Sequence, residues 1–247
     1  MQTVSFWFWT AAIGMGLGSA LFAWMGASGS AEHKGSYISS FFITLIAGTM
    51  YLTLALGQGA VTVDEGRVVF YARYLTWTLT TPLLLLGLAA VAFAGDLRRN
   101  VPLLAGLIGA DVYMILTGLI GELSNFPIKY IWFSISSIAF LVILWLIWGP
   151  LQAEARQHPR WNALWQRLAI GLTVLWIGYP IVWLLGPAGS ALLDPAGQNF
   201  GFVSLDLLAK VGWGWLLLSG LEDISRADTR SGGEGLPVRK ESAAERL

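Results

Sequence analysis

Seven apolar runs of about twenty residues, joined by short polar connections, restrict this chain to very few folds. They run from Val4 to Met25, Tyr37 to Leu56, Val69 to Ala92, Val101 to Ile120, Ile128 to Trp148, Leu164 to Leu185 and Phe200 to Leu221. The hydrocarbon core of a bilayer is about 30 Å thick, and a helix needs about 20 apolar residues to cross it. Within hydrocarbon every backbone polar group must be satisfied by the segment itself, which selects helices over other local structure. The connections, among them GASGSAEHKGS, GQGAVTVDEG, AGDLRRN, GELSNFP and GPAGSALLDPAGQ, are short and rich in turn formers. Successive helices are therefore antiparallel neighbours. The expected fold is all-α, a seven-transmembrane-helix bundle over residues 1–225, followed by a polar, mobile tail over 226–247. The stretch from Gly149 to Arg167 is expected to form a helical extension and a loop. The first run begins almost at once without a basic leader, so it reads as a mature span and not a cleaved signal.

Composition agrees and excludes several functions. Charged residues make up 12% of the chain and hydrophobic residues 55%, against roughly 25% charged in soluble domains. Without cysteine there is no disulfide, thiolate metal site or thiol chemistry. The two histidines, His33 and His158, fall near the ends of runs, so no buried histidine metal site is expected. Net charge is zero, and nothing points to nucleic acid. No phosphate loop or nucleophile–base pair suggests an enzyme, and no internal repeat suggests an inverted-repeat transporter. Lys34, Arg98, Arg99, Arg156, Arg160, Arg167, Arg226, Arg230, Arg239, Lys240 and Arg246 fall on one side of the bundle, and Arg67 and Lys129 on the other. The excess of basic residues marks the cytoplasmic side of the plasma membrane, leaving the N-terminus outside and the C-terminus inside.

Two runs carry charge where hydrocarbon penalises it. Lys210 sits in the middle of the last run, with Asp206 one turn earlier on the same face. A lysine at that depth costs roughly 3 kcal/mol on insertion scales, so such residues usually serve a function. The plainer reading is an ion pair that only fixes packing. The third run, YARYLTWTLTTPLLLLGLAA, places Arg73, Thr76 and Thr80 on one face, beside Trp77, Thr81 and Pro82. Arginine is a fixed cation with five donors, and threonine hydroxyls donate either to an anion or back to the helix. This face is expected to line a polar cavity opposite Asp206 and Lys210. The alternative is an arginine that snorkels outward and threonines bonded to their own backbone.

These pieces resemble the microbial (type 1) rhodopsins, and bacteriorhodopsin in particular, along nearly all seven runs. The matching segments are TMYL at Thr49 to Leu52 (with Tyr51), ARY at Ala72 to Tyr74, Trp77, TTPLLLL at Thr80 to Leu86, GAD at Gly109 to Asp111, WIGYPIVW at Trp176 to Trp183, and LD…AKVG at Leu205 to Gly212. The resemblance implies all-trans retinal in the core, held as a protonated Schiff base on Lys210 with Asp206 as counterion. It implies pocket roles for Trp77, Thr81, Met114, Gly118, Phe133, Ser136, Trp176, Tyr179, Pro180 and Trp183. Phe133 stands where bacteriorhodopsin-like proteins commonly have a third pocket tryptophan. Asp111 matches an aspartate held protonated and hydrogen-bonded, for which a structural role is expected. The resemblance also implies a homo-oligomer in a lipid bilayer.

Function in this family turns on three third-helix positions, here Thr76, Thr80 and Gly87. Proton pumps carry a carboxylate at the first and usually a carboxylate donor at the third, and this chain has neither. Ala188 and Gln198 stand where bacteriorhodopsin has release glutamates. With Arg73 and the Schiff base positive and only Asp206 negative, an anion beside Thr76 and Thr80 would restore neutrality. Inward chloride pumps resemble this arrangement, although they commonly have serine where this chain has Thr80. The leading expectation is therefore a light-driven inward chloride pump with bound chloride. The alternatives are a proton-pump lineage with Thr76 replacing aspartate, in which His33 beside Glu32 aids proton uptake, and a photosensory rhodopsin. Otherwise His33 reads as an exposed loop histidine.

Overall fold

The computed structural model describes residues 2–63 and 66–233. Seven helices are long and apolar enough to cross a membrane: Val4–Ser28, Ala31–Ala55, Tyr71–Ala92, Val101–Leu123, Ile128–Ala155, Pro159–Leu185 and Pro195–Ala227. We number them one to seven. The protein is thus an integral membrane protein with the expected all-α bundle. Each of the first five helices packs on its successor, helix seven closes the ring against helix one, and helix three touches helices two, four and six. That central position suits the run whose sequence carries the most polar groups.

Local chemistry sets the ends. Asn100 accepts a hydrogen bond from the Leu103 backbone N–H, and Pro102 occupies the first turn of helix four. Asp194 caps helix seven in the same way, accepting from the Gly197 N–H at 2.7 Å ahead of Pro195. These signals start helix seven at Pro195 and helix six at Pro159, before the expected Phe200 and Leu164. The stretch from Gly149 to Arg167 is the end of helix five, a short turn and the start of helix six. Helix five widens into a π turn at Ile147–Leu151, where Pro150 has no N–H to give. A second π turn, Leu208–Gly212, contains Lys210. The last helical stretch runs on to Gly233, into what reads from sequence as tail; residues 234–247 lie outside the described residues.

The connection after helix two is more ordered than a turn. It forms a small antiparallel hairpin, β1 (Val61–Thr62) paired with β2 (Val68–Val69), with Val61 opposite Val69. Strands of two residues are too short to show a sequence period. We call this end of the bundle the hairpin end, and the opposite one, with Arg98 and Arg99, the basic end.

The core is asymmetric. Towards the basic end, Leu84, Leu85, Leu88, Leu168, Leu172, Trp213 and Leu217 form one continuous apolar cluster. Large apolar side chains such as Leu17, Trp24, Ile138, Leu141 and Trp145 point outward, as a lipid-facing surface requires. His33 departs from the exposed loop residue read from sequence. It is buried, its Nε2 lies 2.9 Å from the Ser225 hydroxyl, and its ring meets Trp161 edge-on. The first connection folds under helix seven and covers it.

Candidate functional site

Asp206 is the hub of the interior. It is fully buried, as is Lys210, and the Lys210 ammonium donates to its Oδ1. Tyr179 donates to the same oxygen at 2.7 Å, Trp77 Nε1 at 3.1 Å, and Tyr51 donates to Oδ2 at 2.5 Å. Four donors from helices two, three, six and seven thus converge on one carboxylate. Charge-assisted bonds of this kind are about twice as strong as neutral ones. Three aromatic donors from other helices complete the pair and tie it to helices two, three and six.

Arg73 does not snorkel. Its side chain is 5% exposed, it donates to Asn199 Oδ1, and its guanidinium lies 4.5 Å over the Phe202 ring. Among the described residues no carboxylate lies within ion-pair distance of it, and its Nε–H has no partner. A buried cation with an unspent donor is costly unless a further acceptor completes it. Thr76 and Thr80 are buried on the same face, but their hydroxyls donate to the carbonyls of Ala72 and Thr76, at 2.9 and 2.8 Å. The alternative read from sequence for the threonines therefore holds here. A hydroxyl must rotate away from its own helix before it can donate to an anion.

One cavity gathers every pocket residue expected from sequence. Trp77, Thr81, Met114, Gly118, Phe133, Ser136, Trp176, Tyr179, Pro180 and Trp183 all line it, with Tyr74 and Phe202. Thr81 donates to Asp111 Oδ2 at 2.6 Å, fixing one wall, and Ser136 donates to the Met114 carbonyl at 2.8 Å. Phe133, in the place of a family tryptophan, stacks on Trp183 with ring centroids 4.5 Å apart. A Cβ on Gly118 would stand 3.3 Å from Ser136 Oγ and 3.5 Å from a Tyr74 ring carbon, so glycine keeps this part of the cavity open. This apolar slot, walled by aromatic rings, shares Trp77 and Tyr179 with the Lys210–Asp206 site, since both donate to the carboxylate that holds the lysine amine. That donor set fits a long apolar aldehyde such as retinal. Gly87 lies outside the slot, where an added Cβ would meet Leu217 at 3.3 Å and Trp213 at 3.4 Å. The nearest neighbours there are apolar.

Sequence reasoning missed three groups. Asn199 and Phe202, which hold Arg73, resemble ordinary helix residues in sequence. Glu122 reads as a loop acid in GELSNFP but is buried beneath the hairpin, bonded to Arg67, Tyr74 and Trp183. Ala188 and Gln198 are both buried, on the connection and helix start near the hairpin end. At the basic end, Tyr37 and the Ser30 N–H donate to Glu222, at 2.5 and 2.8 Å.

The geometry has close counterparts. The family model for bacteriorhodopsin-like proteins matches residues 2–224. Bacteriorhodopsin of Haloterrigena sp. (strain arg-4) is 40% identical over 233 residues, covering 91% of each chain. Sensory rhodopsin-2 of Natronomonas pharaonis is 35% identical over 212 residues, covering 85% of this chain and 86% of its own. The thermophilic rhodopsin from Rubrobacter xylanophilus superposes with a TM-score of 0.86 at 41% identity, over 90% of this chain and 99% of that one.

Proposed function

The chain belongs to the bacteriorhodopsin-like family of microbial rhodopsins, and from that premise we propose that it is a light-driven inward chloride pump. The family's chromophore is retinal, which supplies light absorption and a change of shape at the lysine end of the slot. Lys210 would hold it, Trp77, Trp176, Tyr179 and Trp183 would clamp it, and Gly118 would leave room for it.

The observation that carries the choice of ion is Arg73. Around Lys210 two cations stand against one carboxylate, and Asp206 is already saturated by Lys210, Tyr51, Tyr179 and Trp77. At an effective dielectric near 20, an ion pair at 4 Å is worth about 4 kcal/mol. A mobile anion between the Arg73 Nε–H and the Thr76 hydroxyl recovers part of that energy, where a proton pump of this family has a fixed carboxylate. Gly87 leaves the far half of the path without a charge that would repel an anion. The distribution of lysine and arginine supports a cytoplasmic basic end and an outer hairpin end. The anion then enters on the hairpin side, among Arg73 and Asn199, and leaves through the apolar half.

The back-bonded Thr76 and Thr80 favour a second reading, a proton-pump lineage in which the hydroxyls only pack and little transport survives. Light-induced changes of external pH in cells or liposomes separate the two, measured in chloride and then in sulfate, each with and without a protonophore. Alkalinisation in chloride that the protonophore enhances and sulfate abolishes is the expected result. Acidification in both salts that the protonophore abolishes overturns the chloride reading.

A further inference from the structure

Glu122 ends helix four next to the cavity, yet plays no part in the charge balance around Lys210. Its two oxygens take donors from three separate elements. Arg67, from the hairpin, donates to Oε1 at 3.2 Å and also to the Ser124 carbonyl at 3.1 Å. Trp183, from helix six, donates to Oε2, and Tyr74, from helix three, approaches the same oxygen at 3.4 Å. Trp183 and Tyr74 are both walls of the cavity, and Trp183 stacks on Phe133 of helix five. Helix five has no extended contact with helix seven, so the Phe133 side of this wall lies away from Lys210.

We propose that Glu122, paired with Arg67, is a positioning and colour-setting residue for the far end of the chromophore slot. The inference rests on the retinal reading above. A carboxylate with three donors holds the Trp183 indole in one orientation and ties that wall to Arg67. It also places a negative charge there, with its compensating cation one bond further out.

This arrangement makes an electrostatic prediction that plain packing does not. Excitation of a conjugated chain carrying a cationic nitrogen moves positive charge away from that nitrogen, towards the far end. A negative charge at the far end therefore lowers the excitation energy, and a positive charge raises it. Glu122→Gln removes the negative charge and leaves Arg67, so the visible band is expected about 10 nm to the blue, while Arg67→Gln leaves the carboxylate uncompensated and moves it to the red by a similar amount. Both substitutions loosen this wall, so hydroxylamine should bleach both pigments faster in the dark, by about tenfold for a lost charge-assisted bond of about 1.4 kcal/mol.

The readout independent of the pigment is the Trp183 indole N–H in the retinal-free protein, followed by 15N NMR with Trp183→Phe as assignment control. Its resonance should move upfield in Glu122→Gln and less in Arg67→Gln. Shifts of opposite sign, with the indole displaced, support the proposal. Bands unchanged in both variants, or displaced in the same direction, overturn it. If Glu122→Gln does not accumulate, Arg67→Gln decides alone, and a red shift is required. A wild-type protein that forms no visible pigment refutes the retinal reading instead, and is distinguished by that outcome.

Discussion

Replacing Thr76 with aspartate tests the charge argument directly. In the wild-type protein the buried set is Lys210 and Arg73 against Asp206, all 5% exposed or less. On the proposed reading, the excess of one positive charge is what recruits chloride. Thr76→Asp adds a fixed carboxylate on the Arg73 face, brings the sum to zero and removes the reason for an anion to bind. Linkage sets the size of the effect. A ligand that binds only the folded state stabilises it by about 2.7 kcal/mol at a hundred times its Kd. For a chain of this length, that corresponds to a rise in melting temperature of about 5–10 °C. The assay is thermal loss of the visible band in detergent, with chloride exchanged for gluconate at constant ionic strength and its Kd read from a spectral titration. The wild-type pigment should gain those degrees as chloride rises to a hundred times Kd. Thr76→Asp should show a flat line, and Thr76→Ser, which keeps the hydroxyl, should follow wild type. A Thr76→Asp pigment that retains the full chloride-dependent rise refutes the reasoning, as does a wild-type pigment whose band and melting ignore chloride.

Three further outcomes follow from the same geometry. Lys210→Ala should abolish pigment and, by leaving Asp206 buried without its cation, cost the apoprotein about 3–5 kcal/mol. Circular dichroism melts should show a smaller loss for Lys210→Ala combined with Asp206→Asn, and an equal or larger one contradicts the pairing. Gly118→Leu pushes carbon atoms into space bounded by Ser136 and Tyr74, and overpacking of about 1–3 kcal/mol should weaken retinal uptake about tenfold or more. Reconstitution titrations check this, with Gly118→Ala expected to be mild. Gly87→Asp places a carboxylate between Leu217 and Trp213, and should destabilise the protein by about 3 kcal/mol in thermal melts. An unchanged melt would mean that this half of the bundle is wet.

Much of this was legible in the chain because a bilayer fixes helix length and penalises misplaced charge. Seven runs of the required length could only be spans, and Lys210 and Asp206 stood out by being charged within one. The pocket residues were legible through ordered motifs, and the structure gathers them around one cavity. What escaped were partners brought in from a distance. Nothing near His33 in sequence predicts that Ser225 and Trp161 will bury it. Glu122 looked like a turn acid because its three donors come from the hairpin, helix three and helix six. The threonines escaped for the opposite reason: whether a hydroxyl turns to its own carbonyl or into a cavity is a rotamer choice that periodicity does not record.

The two halves of the interior suggest how one change at Lys210 gives direction. On the hairpin side the interior is polar, with Arg73, Asn199 and Gln198 buried and Arg73 bonded to Asn199. On the basic side the leucines of helix three meet Leu168, Leu172, Trp213 and Leu217 without a polar gap. Such a constriction excludes ions by staying dry, and needs only a small separation to admit them. Lys210 lies in the π turn Leu208–Gly212, and Trp213, the next residue, donates to the Leu168 carbonyl of helix six at 3.0 Å. On the proposed reading, a rotation at the lysine would pull on a side chain that seals the apolar half, while Asp206, held by its aromatic donors, would stay anchored on the polar half. On the proposed reading, an anion that follows the lysine-linked cation towards the basic end meets a seal loosened by the same motion. The missing carboxylate at Gly87 is then an advantage, because a fixed negative charge in that seal would bar the exit.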